Sequence, residues 1–120
     1  MKEKGSVVHP WYKGIHEWQV EGVSKPPQLI EYTDTVQGDV RYAPAILSLR
    51  SLRNESALWF TYWISTDKTE GKLKWGGGSP ILEEGVLLDL LKGAIQQGFF
   101  TEDFLRQLDS ELKLASRRLT

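Results

Sequence analysis

The sequence predicts an α+β fold: an antiparallel sheet of four to five strands followed by two C-terminal helices packed on one face. Three observations carry this. The stretch ALWFTYWISTDKTEGKLKW, residues 57–75, alternates side-chain character with a period of two and is broken by a turn, as a β-hairpin does. Gly76-Gly77-Gly78-Ser79-Pro80 then ends the strand pattern. Beyond it, leucines recur at helical spacing, first within 83–97 and again within 102–118.

Composition bounds the rest. The chain has 120 residues, one domain's worth, with 40% hydrophobic and 26% charged residues, an ordinary globular balance. No apolar run approaches the roughly 20 residues of a membrane span. The N-terminal MKEKGSVVHPWY has no apolar stretch of the kind a signal peptide needs, so none is expected, and the absence of cysteine fits a cytoplasmic protein. With no cysteine, the sequence excludes disulfides, thiolate metal sites and cysteine nucleophiles. The net charge of −1 supplies no bulk attraction to nucleic acid, so any such attraction must be local.

Residues 1–14 read as an N-terminal arm, with Trp11 and Tyr12 either pinning it to the body or offering a ligand contact; 15–120 read as the single α+β domain, its sheet over 15–75. Residues 15–21 alternate, with His16, Trp18 and Val20 on one face. A turn over 22–27 contains Pro26-Pro27. Residues 28–33 form a second strand, with Ile30 and Tyr32 on one side. A turn over 34–39 leads to a long third strand, 40–50, in which Pro44 lacks a ladder donor and so belongs at a bulge or an edge. Ala45, Leu47 and Leu49 share its core face. After a turn near Asn54, the fourth strand puts Leu58, Phe60, Tyr62 and Ile64 on one face and Trp59, Thr61 and Trp63 on the other. A turn over 66–71 and a fifth strand, 72–75, complete the sheet.

Matching core to core sets the expected register. It places Leu49 opposite Phe60, Leu47 opposite Tyr62 and Ala45 opposite Ile64, then Tyr62 opposite Trp75 and Trp63 opposite Lys74. The all-apolar face becomes the core. The open face collects Arg50, Trp59, Thr61, Trp63, Lys72 and Lys74.

The first helix carries Leu87, Leu88, Leu91, Ala94 and Ile95 as its stripe, with Glu83 and Glu84 in the first turn and Gly98 at its end. Thr101 caps the second. Its Leu105, Leu108, Leu112, Ala115 and Leu119 repeat at 3-4-3-4 spacing, a pattern for packing on its own domain or for a homodimer seam.

Chemistry of the catalytic kind is not indicated. His9 and His16 have no partner motif for a metal, and Glu83-Glu84 and Glu102-Asp103 sit where helix dipoles favour carboxylates. The glycine triplet lacks the lysine of a phosphate loop. No enzyme activity, cofactor or metal is expected. The constellation with a mechanism is the basic-aromatic face. Trp59 and Trp63 would stack bases, at about 1–3 kcal/mol each; Arg50, Lys72 and Lys74 would hold phosphates, with Arg41, Tyr42 and Arg53 as secondary contacts. Against it stands the reading in which the tryptophans are core.

Aromatic, lysine-bearing antiparallel strands, then K-x-K-W-G-G-G-S-P, then a leucine-rich helical end resemble the ThermoDBP-related single-stranded-DNA-binding proteins of archaea. The layout covers about residues 40–119, and the strands-then-helix order is also similar to positive-cofactor-type transcription coactivators. The resemblance implies a sheet cleft for single-stranded DNA, with Trp59, Trp63, Lys72 and Lys74 at the matching positions, and a dimer made through the C-terminal helix. The chain departs from that pattern in its slightly negative charge and short terminal helix. The expected function is therefore non-enzymatic binding of single-stranded DNA or RNA. The alternatives are a protein-interaction module dimerising through the leucine helix, with the tryptophans structural, and a small-molecule pocket.

Overall fold

A computed structural model describes residues 3–26, 28–75 and 80–119. The chain divides into two compact units, Met1–Glu84 and Gly85–Thr120. The first is an antiparallel sheet and the second holds two helices, so the class is α+β as the sequence predicts.

Among the described residues the sheet has seven strands: β1 (Val7–Val8), β2 (Trp18–Ser24), β3 (Ile30–Asp34), β4 (Gly38–Ser51), β5 (Ser56–Ser65), β6 (Lys74–Trp75) and β7 (Ile81–Leu82). Strand β4 is its spine. One edge of β4 pairs with β5 from Arg41 to Arg50. The other edge pairs with β3 as far as Tyr42 and with β2 from Ile46 onward, and Pro44 occupies the gap between them. A residue with no N–H sits where no ladder partner is lost. Strand β1 extends the sheet beyond β2; β6 and β7 share the outer edge of β5.

The predicted face of β4 is the core face: Ala45, Leu47 and Leu49 are buried. The predicted face of β5 is inverted. Leu49 lies opposite Ala57, Leu47 opposite Trp59, Ala45 opposite Thr61 and Ala43 opposite Trp63. The pairing is offset from expectation by three residues, and an odd offset exchanges faces. Its cause is the turn. The Ser51 N–H donates to the Glu55 carbonyl at 3.0 Å and Asn54 takes φ 65°, so Leu52, Arg53 and Asn54 make a tight three-residue loop. The Ser51 hydroxyl accepts the N–H groups of Arg53 and Glu55, both at 3.1 Å, which fixes that loop.

Volume explains why tryptophans fit inside. Ala43, Ala45, Ala57 and Thr61 leave the space that Trp18, Trp59 and Trp63 fill, and large against small interdigitates without voids. The β5–β6 register slips by one residue from expectation: Trp63 faces Trp75, and Ile64 faces Lys74. Trp75 thereby joins the core-side aromatics and donates its indole N–H to the buried Thr61 hydroxyl at 2.5 Å. The polar residue between two tryptophans is a partner for a third.

Within the expected arm, the described residues from 3 onward are not free-standing. Val8 is buried in β1, Tyr12 packs 6.1 Å from Trp18 between ring centroids, and Tyr12 bridges Ile15. The Lys13 ammonium pairs with the Glu83 carboxylate, a hydrogen bond that raises the lysine's pKa. Strand β2 starts at Trp18 rather than at 15 and runs to Ser24, inside the expected turn, because a bulge at Glu21 absorbs a residue between Val20 and Gly22. His16 lies outside the strand and is exposed. The expected 66–71 turn contains a 3₁₀ turn, Asp67–Thr69, in which the Thr69 hydroxyl accepts the Thr66 N–H at 2.9 Å. The Gly76–Ser79 connector lies outside the described residues.

Gly38 closes the β3–β4 hairpin at φ +76°, and the Asp67 carboxylate lies where a β-carbon would project. Gly38→Ala is expected to destabilise the sheet unit by about 1–2 kcal/mol from the left-handed backbone alone, and more once Asp67 is displaced. The midpoint of chemical denaturation measures it.

In the second unit, α1 spans Glu84–Gln96 and α2 spans Glu102–Leu119. The Phe104 N–H donates to the predicted Thr101 cap at 3.2 Å. Gly98 takes φ +74°, and the Phe99 N–H donates to the Ala94 carbonyl at 3.0 Å, a left-handed stop for α1.

Candidate interaction surfaces

The residues expected to form a stacking platform do not lie on an open surface. Trp59 is 6% exposed and Trp63 is 2% exposed; Trp75 lies 4.7 Å from one and 6.4 Å from the other between ring centroids. The Lys25 ammonium sits 5.7 Å from the Trp63 ring centroid. No base can stack on these indoles without opening the sheet's core.

The cations are dispersed too. Arg50 donates from Nε to Glu21 at 3.0 Å and from Nη1 to the Asn54 carbonyl at 3.3 Å. Arg41 reaches the Gly71 carbonyl at 2.6 Å. Arg53 and Lys72 are exposed in the 51–55 loop and beyond the 3₁₀ turn. Lys74 stands opposite Ile64, on the face away from the tryptophans.

That face was expected to be core. Its Tyr42, Phe60 and Tyr62 are half-buried and follow one another across the β4–β5 pair, with Tyr42 and Tyr62 edge-to-face at 5.8 Å. Together with Pro44, Ile46 and Pro80 they line a broad groove of about 550 Å³, with Lys25 at its wall. Sequence reasoning named Tyr42 as a secondary contact but assigned Phe60 and Tyr62 to the core, because only the turn geometry at Asn54 decides which side of β5 they occupy.

On the arm, Trp11 stacks on His16 at 4.3 Å and His9 lies 5.2 Å from His16. Tyr12 is the pinning residue of the pair, whereas Trp11 is exposed. Among the described residues no group of three or more metal-ligating side chains comes together. Among the described residues no helix is long and apolar enough to cross a membrane.

The helical unit is the other surface. Neither helix buries a residue. Along the predicted α2 stripe, Leu105 and Leu108 are half-buried, Leu112 is 60% exposed, Ala115 is exposed and Leu119 is 89% exposed. Phe104 and Leu114 are also exposed on α2, and Val86, Leu88, Leu90, Leu91 and Ile95 on α1. The polar face of α2 carries Asp103–Arg106 and Asp109–Lys113 ion pairs one turn apart. Comparison with known families, curated proteins and solved structures finds no match to this chain.

Proposed function

We propose that this chain is a non-catalytic assembly module that associates with a second copy through the apolar faces of α1 and α2. The observation that carries the reading is the leucine stripe of a well-formed amphipathic helix, half-buried at Leu105 and Leu108 and exposed from Leu112 onward. An isolated helix of this length is marginal in water, and most helical stability comes from covering such a face. Contiguous exposed apolar surface of this kind marks an interaction site. The first and last turns of α2 carry opposite charge, Glu102 and Asp103 against Arg117 and Arg118. That polarity suits antiparallel pairing with a copy, acidic start beside basic end. A cysteine-free module of this kind suits a reducing compartment such as the cytoplasm. Sedimentation equilibrium tests the reading: the mass should rise from one chain to two as concentration increases, and a one-chain mass throughout would overturn it.

A second reading keeps single-stranded nucleic acid as ligand but moves it to the other sheet face. The half-exposed row of Tyr42, Phe60 and Tyr62, with Lys74 on the same face of the sheet, favours it, since stacking needs only aromatic faces and nearby cations. Anisotropy of a labelled oligothymidylate should then rise saturably at low salt and weaken as salt is added. Tyr62→Ala should lose about 1–3 kcal/mol of that affinity. Binding that Tyr62→Ala leaves unchanged would exclude this face.

A further inference from the structure

We propose that the outer edge of β3 accepts an extended basic peptide as an added strand. Strand β3 pairs with β4 alone, so among the described residues its other edge carries unmet ladder donors and acceptors. Soluble proteins blunt such edges with lysine, proline, bulges or a covering element. Residues Ile30–Asp34 contain neither lysine nor proline, and their pairing with β4 runs without a bulge. Ile30 and Tyr32 are instead 44% and 48% exposed, apolar side chains displayed on the strand. A hollow of about 370 Å³, lined by Glu31, Tyr32, Thr33, Asp39 and Val40, lies over the neighbouring β3–β4 pair. Added strands gain affinity from main-chain hydrogen bonds and specificity from side-chain recesses.

Charge selects the occupant. Glu31, Asp34 and Asp39 stand along this hairpin. Asp34 accepts N–H groups from Gln37 at 2.9 Å and Val36 at 2.7 Å, which hold its carboxyl below the usual aspartate range and keep it ionised. Arg41, opposite Glu31 in the ladder, directs its guanidinium to the Gly71 carbonyl. A second copy of β3 would bring its own Glu31 and Asp34 to the same edge and double the negative charge. A strand alternating lysine with β-branched residues instead places cations beside carboxylates and apolar side chains against Ile30 and Tyr32. This site lies within the sheet unit and is independent of the helical surface.

The probe is a fluorescein-labelled Lys-Val-Lys-Ile-Lys-Val-Thr peptide. Its anisotropy should rise saturably with the full-length protein, and hydrogen exchange should slow at the amides of 30–34. A fully N-methylated copy of the peptide, which has no backbone donors, should not bind. Glu31→Lys, with an unchanged thermal midpoint, should weaken binding about tenfold or more. Absence of a saturable rise, equal binding of the methylated peptide, or protection confined to other strands would overturn the proposal. So would concentration-dependent protection of 30–34 without peptide, which would mean that a second copy takes the edge.

Discussion

Trp63→Ala is expected to cost the sheet unit about 3–5 kcal/mol, the usual loss for a buried tryptophan truncated to alanine. Trp63 is 2% exposed and lies between Ala43 across the ladder and the Trp75 ring, with Lys25 over its face. Removing the indole returns on the order of 200 Å² of apolar contact to a cavity or to solvent. Small neighbours such as Ala43 and Ala45 cannot swing in to fill it. A domain stable by about 5–15 kcal/mol would lose a large fraction of its margin. Tyr62→Ala, one residue away on the half-buried face, should cost clearly less. Thermal and urea unfolding of the two variants side by side measure the contrast. Equal costs would mean that the faces of β5 are not differentiated as described.

Leu112→Asp should act in the opposite pattern. Leu112 is 60% exposed within the chain, so the sheet unit should keep its unfolding midpoint. In a two-fold α2 pair the same side chain lies in the covered stripe, where an unpaired carboxylate loses its hydration. At about 1.4 kcal/mol per tenfold, a penalty of only about 3 kcal/mol weakens association more than a hundredfold. Helical circular dichroism should fall with it, because the unpaired helices lose what stabilises them. Concentration-dependent sedimentation of the variant measures the first effect. An unchanged dissociation constant would remove Leu112 from the interface.

The contrast between these substitutions shows what the sequence made legible. Periodicity found α1 and α2 to within about two residues, since a 3.6-residue repeat and glycine or threonine ends need no partner strand to be read. It also found β4, the core face of Ala45, Leu47 and Leu49, and the anomaly of Pro44. What it missed was register. Both faces of β5 are rich in large apolar residues, so alternation alone does not say which one is buried. The decision rests with Asn54 at φ 65° and the Ser51 hydroxyl, a local turn geometry whose three-residue offset turns Trp59 and Trp63 inward. The expected platform of Trp59, Trp63 and Lys72 dissolved with that offset. Lys74 and Tyr42 ended on the face that holds Phe60 and Tyr62. Strands β1 and β7 were not foreseen because two-residue strands carry no periodicity.

Hydrogen exchange at increasing protein concentration tests self-association through the helices most directly. Protection of the α2 amides, centred on 105–115, should rise with concentration while the amides of β4 and β5 stay constant. Protection of α2 that is independent of concentration, or a concentration-dependent rise confined to the sheet, would contradict it.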